Sequence, residues 1–217
     1  MKLLSWLAEL LYPTRCIVCR EVLQGGKPRI CPQCRDKISY TEEGGKRRGD
    51  FFSQCVSSVY YEDAFRESFL RYKFMNRQAY AVPYGELLGA TIYEYLDGRY
   101  DLVTWAPVDR KRLRKRGYDQ AYLLAKQACR MLAVKPVRLL KKKAGVTAQS
   151  TLDSAERRRA NIAGAYKAVN RDLIQNKRIL VIDDIVTTGA TLSECAKTLL
   201  LAGAEDVCCA TLARTRE

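Results

Sequence analysis

Histidine is absent from the 217 residues. That removes the usual general base near neutral pH and the usual nitrogen ligand for a metal, so any metal must be held by cysteine or carboxylate. Long apolar runs are also missing. No segment approaches the ~18 uninterrupted apolar residues that a membrane-spanning helix needs, so no membrane insertion is expected. The apolar stretch 2–11 is short, contains Glu9 and has no small-residue cleavage site ahead of the first cysteines. It is expected to form an amphipathic helix packed on the body, not a signal peptide. There is no internal repeat and no low-complexity tail. Acidic residues are outnumbered, 24 Asp and Glu against 38 Lys and Arg, a net charge of +14. Such a balance favours phosphates or nucleic acid as partners.

Nine cysteines are present. Five of them (Cys55, Cys129, Cys195, Cys208 and Cys209) lie in apolar or helical surroundings and read as small buried hydrophobes. The other four form two pairs, Cys16-x-x-Cys19 and Cys31-x-x-Cys34. Each pair presents two thiolates from a tight knuckle, and two knuckles make a tetrahedral sulfur site that suits a structural Zn²⁺. Two disulfides or an iron–sulfur cluster are the alternatives. The missing secretion signal argues against the first, and the paired knuckles favour zinc. The module either staples a segment too small to fold alone or grips nucleic acid or a partner through Arg15, Arg20, Lys27, Arg29, Arg35 and Lys37.

The charged, glycine-bearing run 42–50 reads as a boundary, dividing a four-cysteine zinc-ribbon head (1–50) from a body (51–217). Apolar spacing in the body predicts helices over 63–76, 84–96, 119–132 and 190–202. Strands are expected at 56–61, 101–106, 137–141, 165–169, 177–182 and 206–212. Alternating strands and helices imply an α/β fold with a parallel sheet flanked by helices.

The most informative segment is 179–191. An apolar strand ends in Asp183-Asp184 and passes through Thr187-Thr188-Gly189-Ala190-Thr191 into a helix. Ligands of open α/β sheets sit at the carboxyl ends of strands. Backbone N–H groups freed at a helix start point at a phosphate, Gly189 permits close approach, and the three threonine hydroxyls add donors. The carboxylates suit ribose hydroxyls and a water-bridged Mg²⁺. These thirteen residues resemble the phosphoribosyl pyrophosphate (PRPP) signature of type I phosphoribosyltransferases, without a gap. The 5-phosphate would then lie on Thr187, Thr188, Gly189, Ala190 and Thr191, and the ribose with its Mg²⁺ on Asp183 and Asp184.

Two basic segments fit the remaining charge of such a ligand. Arg110, Lys111, Arg114, Arg116 and Gly117 lie in an expected loop that follows a strand, where pyrophosphate would bind; a solvated loop or a nucleic-acid contact is the alternative. The irregular stretch 143–163, with Thr147, Gln149, Arg157 and Asn161, precedes the signature strand, where the resemblance implies a flexible loop that closes over the reacting centre; a disordered basic loop that never closes is the alternative.

The cysteine knuckles ahead of this signature, with the strings Arg71-Tyr72-Lys73-Phe74 and Arg116-Gly117-Tyr118-Asp119-Gln120-Ala121 and with Thr147, Gln149, Arg157 and Asn161, together resemble the ComF/GntX family of phosphoribosyltransferase-like bacterial competence proteins. The resemblance covers nearly the whole chain; Ala106 before Pro107 departs from the bulkier residue usual there. It implies a cytoplasmic protein of natural transformation that binds PRPP, handles incoming single-stranded DNA and works beside a helicase-type competence protein. An active phosphoribosyltransferase of nucleotide metabolism or salvage, with an unidentified acceptor, is the alternative.

Overall fold

A computed structural model describes residues 13–24, 29–143 and 164–216. The expected N-terminal helix and the loop residues Thr147, Gln149, Arg157 and Asn161 lie outside them. The regular elements are α1 (Pro32–Arg35), β1 (Gln54–Tyr60), α2 (Asp63–Phe74), α3 (Ala81–Leu96), β2 (Leu102–Trp105), α4 (Arg110–Arg116), α5 (Gln120–Met131), β3 (Leu140–Lys142), β4 (Tyr166–Ala168), β5 (Arg178–Val186), α6 (Ala190–Leu200) and β6 (Asp206–Arg214).

Four strands make a parallel sheet in the order β1-β6-β5-β2. Parallel strands are covered on both faces, which is why β5 and β6 read as continuous apolar runs. Ile179, Leu180, Val181 and Ile182 are each 0% exposed. Leu180 and Ile182 join the apolar cluster under α3 and α5, whereas Ile179 and Val181 join the one under α6. Helices α3 and α5 meet closely because Gly85 has no side chain: a Cβ there would stand 2.2 Å from Cβ of Gln127.

Three features differ from the sequence expectation. Strand β5 does not stop at Ile182 but runs to Val186, because β6 continues beside it, pairing Asp183 with Thr211 and Ile185 with Ala213. The basic stretch 110–116 is a helix, not a loop. Asp109 caps it by accepting from the Arg112 N–H at 2.8 Å, Gly117 closes it at φ 83, and three cations fill its last turn. All three favour a short helix. The third difference concerns the strands near 140 and 166. They stand apart from the main sheet as an antiparallel ribbon, β3 with β4. Each has an exposed lysine beside a buried residue, a one-sided pattern that does not suit the interior of a parallel sheet.

The cysteine-bearing head packs on α2. Ser68 Oγ donates to the carbonyl of Ile17, and Arg71 Nη2 donates to those of Ile17 and Val18 at 3.0 and 2.6 Å. Beneath this contact Phe65, Phe69, Tyr72 and Tyr84 form an aromatic core. The five scattered cysteines are all buried, and burial pushes Cys55, Cys129 and Cys208 up to about 12. They behave as the small hydrophobes expected of them.

Candidate functional site

Strand β5 delivers its two aspartates to opposite sides of the sheet, as successive residues of a strand must be. Asp184, 6% exposed, faces α2 and α5. Its Oδ2 takes an ion pair from Lys73 Nζ at 3.1 Å and a hydrogen bond from Gln120 Nε2 at 2.9 Å, while Oδ1 accepts from the Ile185 N–H. Burial opposes its charge, but Lys73 and the hydrogen bonds outweigh it and hold the carboxyl below its ordinary value. Asp183 is half-buried and feels Lys142 of the ribbon, and the charge of Asp183 in turn reaches Tyr166 and Cys195. Burial and the Asp184 charge push its carboxyl up. One of the pair is therefore held ionised and the other is held toward the neutral form.

Beyond Val186 the chain turns into α6 at Gly189, whose φ of 79 lies in the left-handed region that costs glycine nothing. The first-turn N–H groups of α6 have no carbonyl one turn back, and the helix dipole adds positive potential at the same point. Arg47 Nη1 donates to the Thr187 carbonyl at 3.0 Å, bracing the loop from the last residues of the head. A hollow of about 220 Å³ opens here between Arg47, Arg48, Gly189, Ala190, Ser193 and Lys197. Asp50 and Glu194 also line it, so the three cations are partly offset, and it is the helix start at Gly189 and Ala190 that suits a phosphate.

The cations of α4 do not converge on one point. Arg110 lies toward the ribbon, beside Lys141 and Lys142. Arg114 turns back onto the carbonyl of Arg110, and Arg116 stacks 5.3 Å from the ring of Phe74. Lys111 is exposed. Asp119 fixes the start of α5 and the turn before α4, accepting from Trp105 Nε1, Val108 N and Tyr122 N.

Sequence reasoning gave no role to Lys73, Gln120, Lys142 or Arg47. The first two stand inside strings already noted for their family resemblance. Nothing local, however, shows that both reach the same carboxylate oxygen.

The four cysteines of the head come together. Their sulfurs lie within 4.8 Å of one another, and Cys19 Sγ is 3.8 Å from Cys31 Sγ. A tetrahedral site with Zn–S bonds of about 2.3 Å requires sulfurs roughly 3.8 Å apart. Burial alone would raise the Cys16 thiol, but N–H donors from Cys31, Cys19 and Val18 bring it down to about 7. Burial and the neighbouring sulfurs push Cys34 up. Sulfurs this close cannot all ionise without a cation among them, so the donor set fits Zn²⁺. Cys31 precedes α1 and Cys34 lies within it, while Cys16 and Cys19 flank the turn closed by the Arg20 N–H on the Cys16 carbonyl.

Two domain families match separate parts of the chain. The double zinc ribbon domain family matches residues 7–55, and the phosphoribosyl transferase domain family matches residues 118–217. The chain is 26% identical to Competence protein F of Haemophilus influenzae over 214 residues, covering 89% of this chain and 93% of that protein. It is 26% identical to the DNA utilization protein YhgH of Escherichia coli K12 over 210 residues, covering 92% and 90%. It is 28% identical to Competence protein ComFC of Bacillus subtilis over 196 residues, covering 87% and 78%. Among solved structures, the glutamine PRPP amidotransferase from B. subtilis complexed with ADP and GMP is similar over 65% of this chain and 30% of its own, at 19% identity and a TM-score of 0.45. No helix among the described residues is long and apolar enough to cross a membrane. A double zinc ribbon match at the head, a phosphoribosyl transferase domain match in the body and competence-protein relatives aligned over most of the chain together support a ComF-family protein.

Proposed function

We propose that this protein binds PRPP at 183–191 and serves DNA uptake in the cytoplasm, handling single-stranded DNA beside a helicase-type competence protein. The observation that carries the PRPP reading is the junction of β5 and α6: two acidic residues at a strand end, then a left-handed Gly189 that opens a helix start toward an anion. The names of the competence and DNA-utilization relatives support the DNA reading, as does the net charge of +14.

In this reading the N–H groups and hydroxyls of 187–191 hold the 5-phosphate, and Asp183 and Asp184 orient the ribose through its hydroxyls. Mg²⁺ arriving with PRPP shields pyrophosphate charge, and Asp183 and Asp184 are the groups that would hold it. Arg110, Lys111, Arg114, Arg116 and Gly117 would supply the pyrophosphate side. Zn²⁺ on Cys16, Cys19, Cys31 and Cys34 is structural, since four thiolates leave no open position. The head, 1–50, and the body, 51–217, are the two parts of this design, joined where Ile17 and Val18 meet α2.

Calorimetric titration with Mg²⁺ and PRPP tests the reading. The double variant Asp183→Ala with Asp184→Ala is expected to lose PRPP binding while keeping its far-UV circular dichroism. Undiminished PRPP affinity in that variant would overturn the assignment.

A further inference from the structure

Ribbon β3–β4 places Lys141 directly opposite Lys167. Side chains in that relationship stand about 5 Å apart at Cβ, and like charges there weaken the pairing. Both lysines are exposed, and among the described residues neither has an acidic partner. Strand alternation puts Lys143 on the same side as Lys141, and its N–H still bonds across the ribbon to the Ala165 carbonyl at 2.8 Å. Arg110, from the first turn of α4, closes the group. Together Arg110, Lys141, Lys142, Lys143 and Lys167 line a hollow of about 280 Å³, and among the described residues every lining side chain is a cation.

A solvated charged face normally mixes signs. Here α4 continues the same sign, six cations and one leucine without a carboxylate. Lys142 is accounted for separately, since it turns inward over the ring of Tyr166 at 5.2 Å and faces Asp183. The outer lysines have no such role. A cross-strand pair of like charges that no described residue neutralises points to an anion supplied from outside.

We propose that the outer face of the ribbon, Lys141, Lys143 and Lys167 with Arg110 at its rim, is a phosphodiester-backbone site for single-stranded DNA. Lysines are compact charges on flexible stems, so they follow irregularly spaced phosphates without reading bases. Among the described residues no aromatic side chain lines the hollow, so this face adds charge and not sequence preference. The row extends about 7 Å along β3, two residues of an antiparallel strand, and continues through Arg110 onto α4. That is a track for a chain of phosphates and is larger than one small dianion needs. It also sets the bound strand beside Lys142 and the Asp183 side of the nucleotide site. The inference rests on the single-stranded DNA reading above and says where the strand lies.

Fluorescence anisotropy with labelled oligothymidylate of about twenty nucleotides, from 50 to 300 mM salt, tests it on the full chain. Three lost phosphate contacts at about 0.7 each make the log–log salt slope of Lys141→Gln/Lys143→Gln/Lys167→Gln shallower by about 2, with affinity near 0.1 M salt roughly a hundredfold lower. The single Lys167→Gln accounts for a slope change of about 0.7. The triple Lys→Arg variant retains the wild-type slope, and the PRPP titration is unchanged in Lys167→Gln. If the wild type binds the oligonucleotide and the triple Gln variant keeps its slope and affinity, the DNA reading survives and this site is refuted. If the wild type does not bind, both fall together.

Discussion

Lys73 Nζ lies 3.1 Å from Asp184 Oδ2, so a cation on α2 neutralises the carboxylate at the end of β5 across half of the chain. Two residues earlier on the same helix, Arg71 holds the backbone of the first cysteine knuckle. Helix α2 is thus bound at one place to the head and at another to the acidic pair of the body.

The ion pair is partly exposed on the lysine side, at 25%, and buried on the aspartate side, at 8%. Lys73→Met strands a buried carboxylate that keeps, among the described residues, Gln120 and a backbone N–H as donors. A loss of about 1–3 kcal/mol is expected in urea unfolding. Lys73→Met with Asp184→Asn removes both charges, and its destabilisation should fall short of the sum of the two single changes. Strict additivity would show that the contact contributes nothing to stability.

Asp183 is pushed above the ordinary carboxylate range by burial and by the charge of Asp184. Between the unfolded and folded values the native state binds the extra proton. Asp183 therefore favours the fold least at high pH, and its contribution falls as pH rises through that window. Ribose and Mg²⁺ binding need the ionised form. PRPP affinity in calorimetry is expected to increase from pH 6.5 to 8.5, and Asp183→Asn should remove that dependence on the protein side.

Gly189 has room for a methyl group, since a Cβ would meet nothing closer than Arg47 Nη2 at 3.5 Å. Its φ of 79 is the obstacle. Gly189→Ala is expected to cost about 1–2 kcal/mol from left-handed strain. It should also weaken PRPP binding by more than the change in apo melting temperature accounts for, because the loop relaxes away from its phosphate-facing shape. An unchanged PRPP affinity would place the phosphate elsewhere.

Zinc content should be one ion per chain by atomic absorption. Cys19 is the exposed member of the cluster, so Cys19→Ser leaves the apolar packing of the head intact while removing one ligand. Zinc content should drop, and hydrogen exchange should rise at the knuckle amides and at the α2 contacts made by Ser68 and Arg71. Protection that is the same with and without metal would show that the head holds itself together by packing alone.

Much of the chemistry could be read from contiguous residues. The cysteine spacings identified a four-sulfur cluster because a knuckle is built within four residues. The run from Asp183 to Thr191 announced a strand that passes through a glycine turn into a helix, because every residue of that junction lies on one short segment. The apolar runs in β5 and β6 announced a buried parallel sheet for the same local reason.

What only the tertiary structure decided is how distant segments divide the charges among themselves. Two neighbouring aspartates point to opposite sides of one strand, and they differ because Lys73 and Gln120 arrive at one of them from α2 and α5. The basic stretch after β2 became a helix whose ends diverge, Arg110 toward the ribbon and Arg116 toward Phe74. Two short strands paired with each other and set Lys141 against Lys167. Strand partners, ion pairs and burial are set by contacts between residues far apart in sequence, so local pattern could name these groups but could not say which of them would meet.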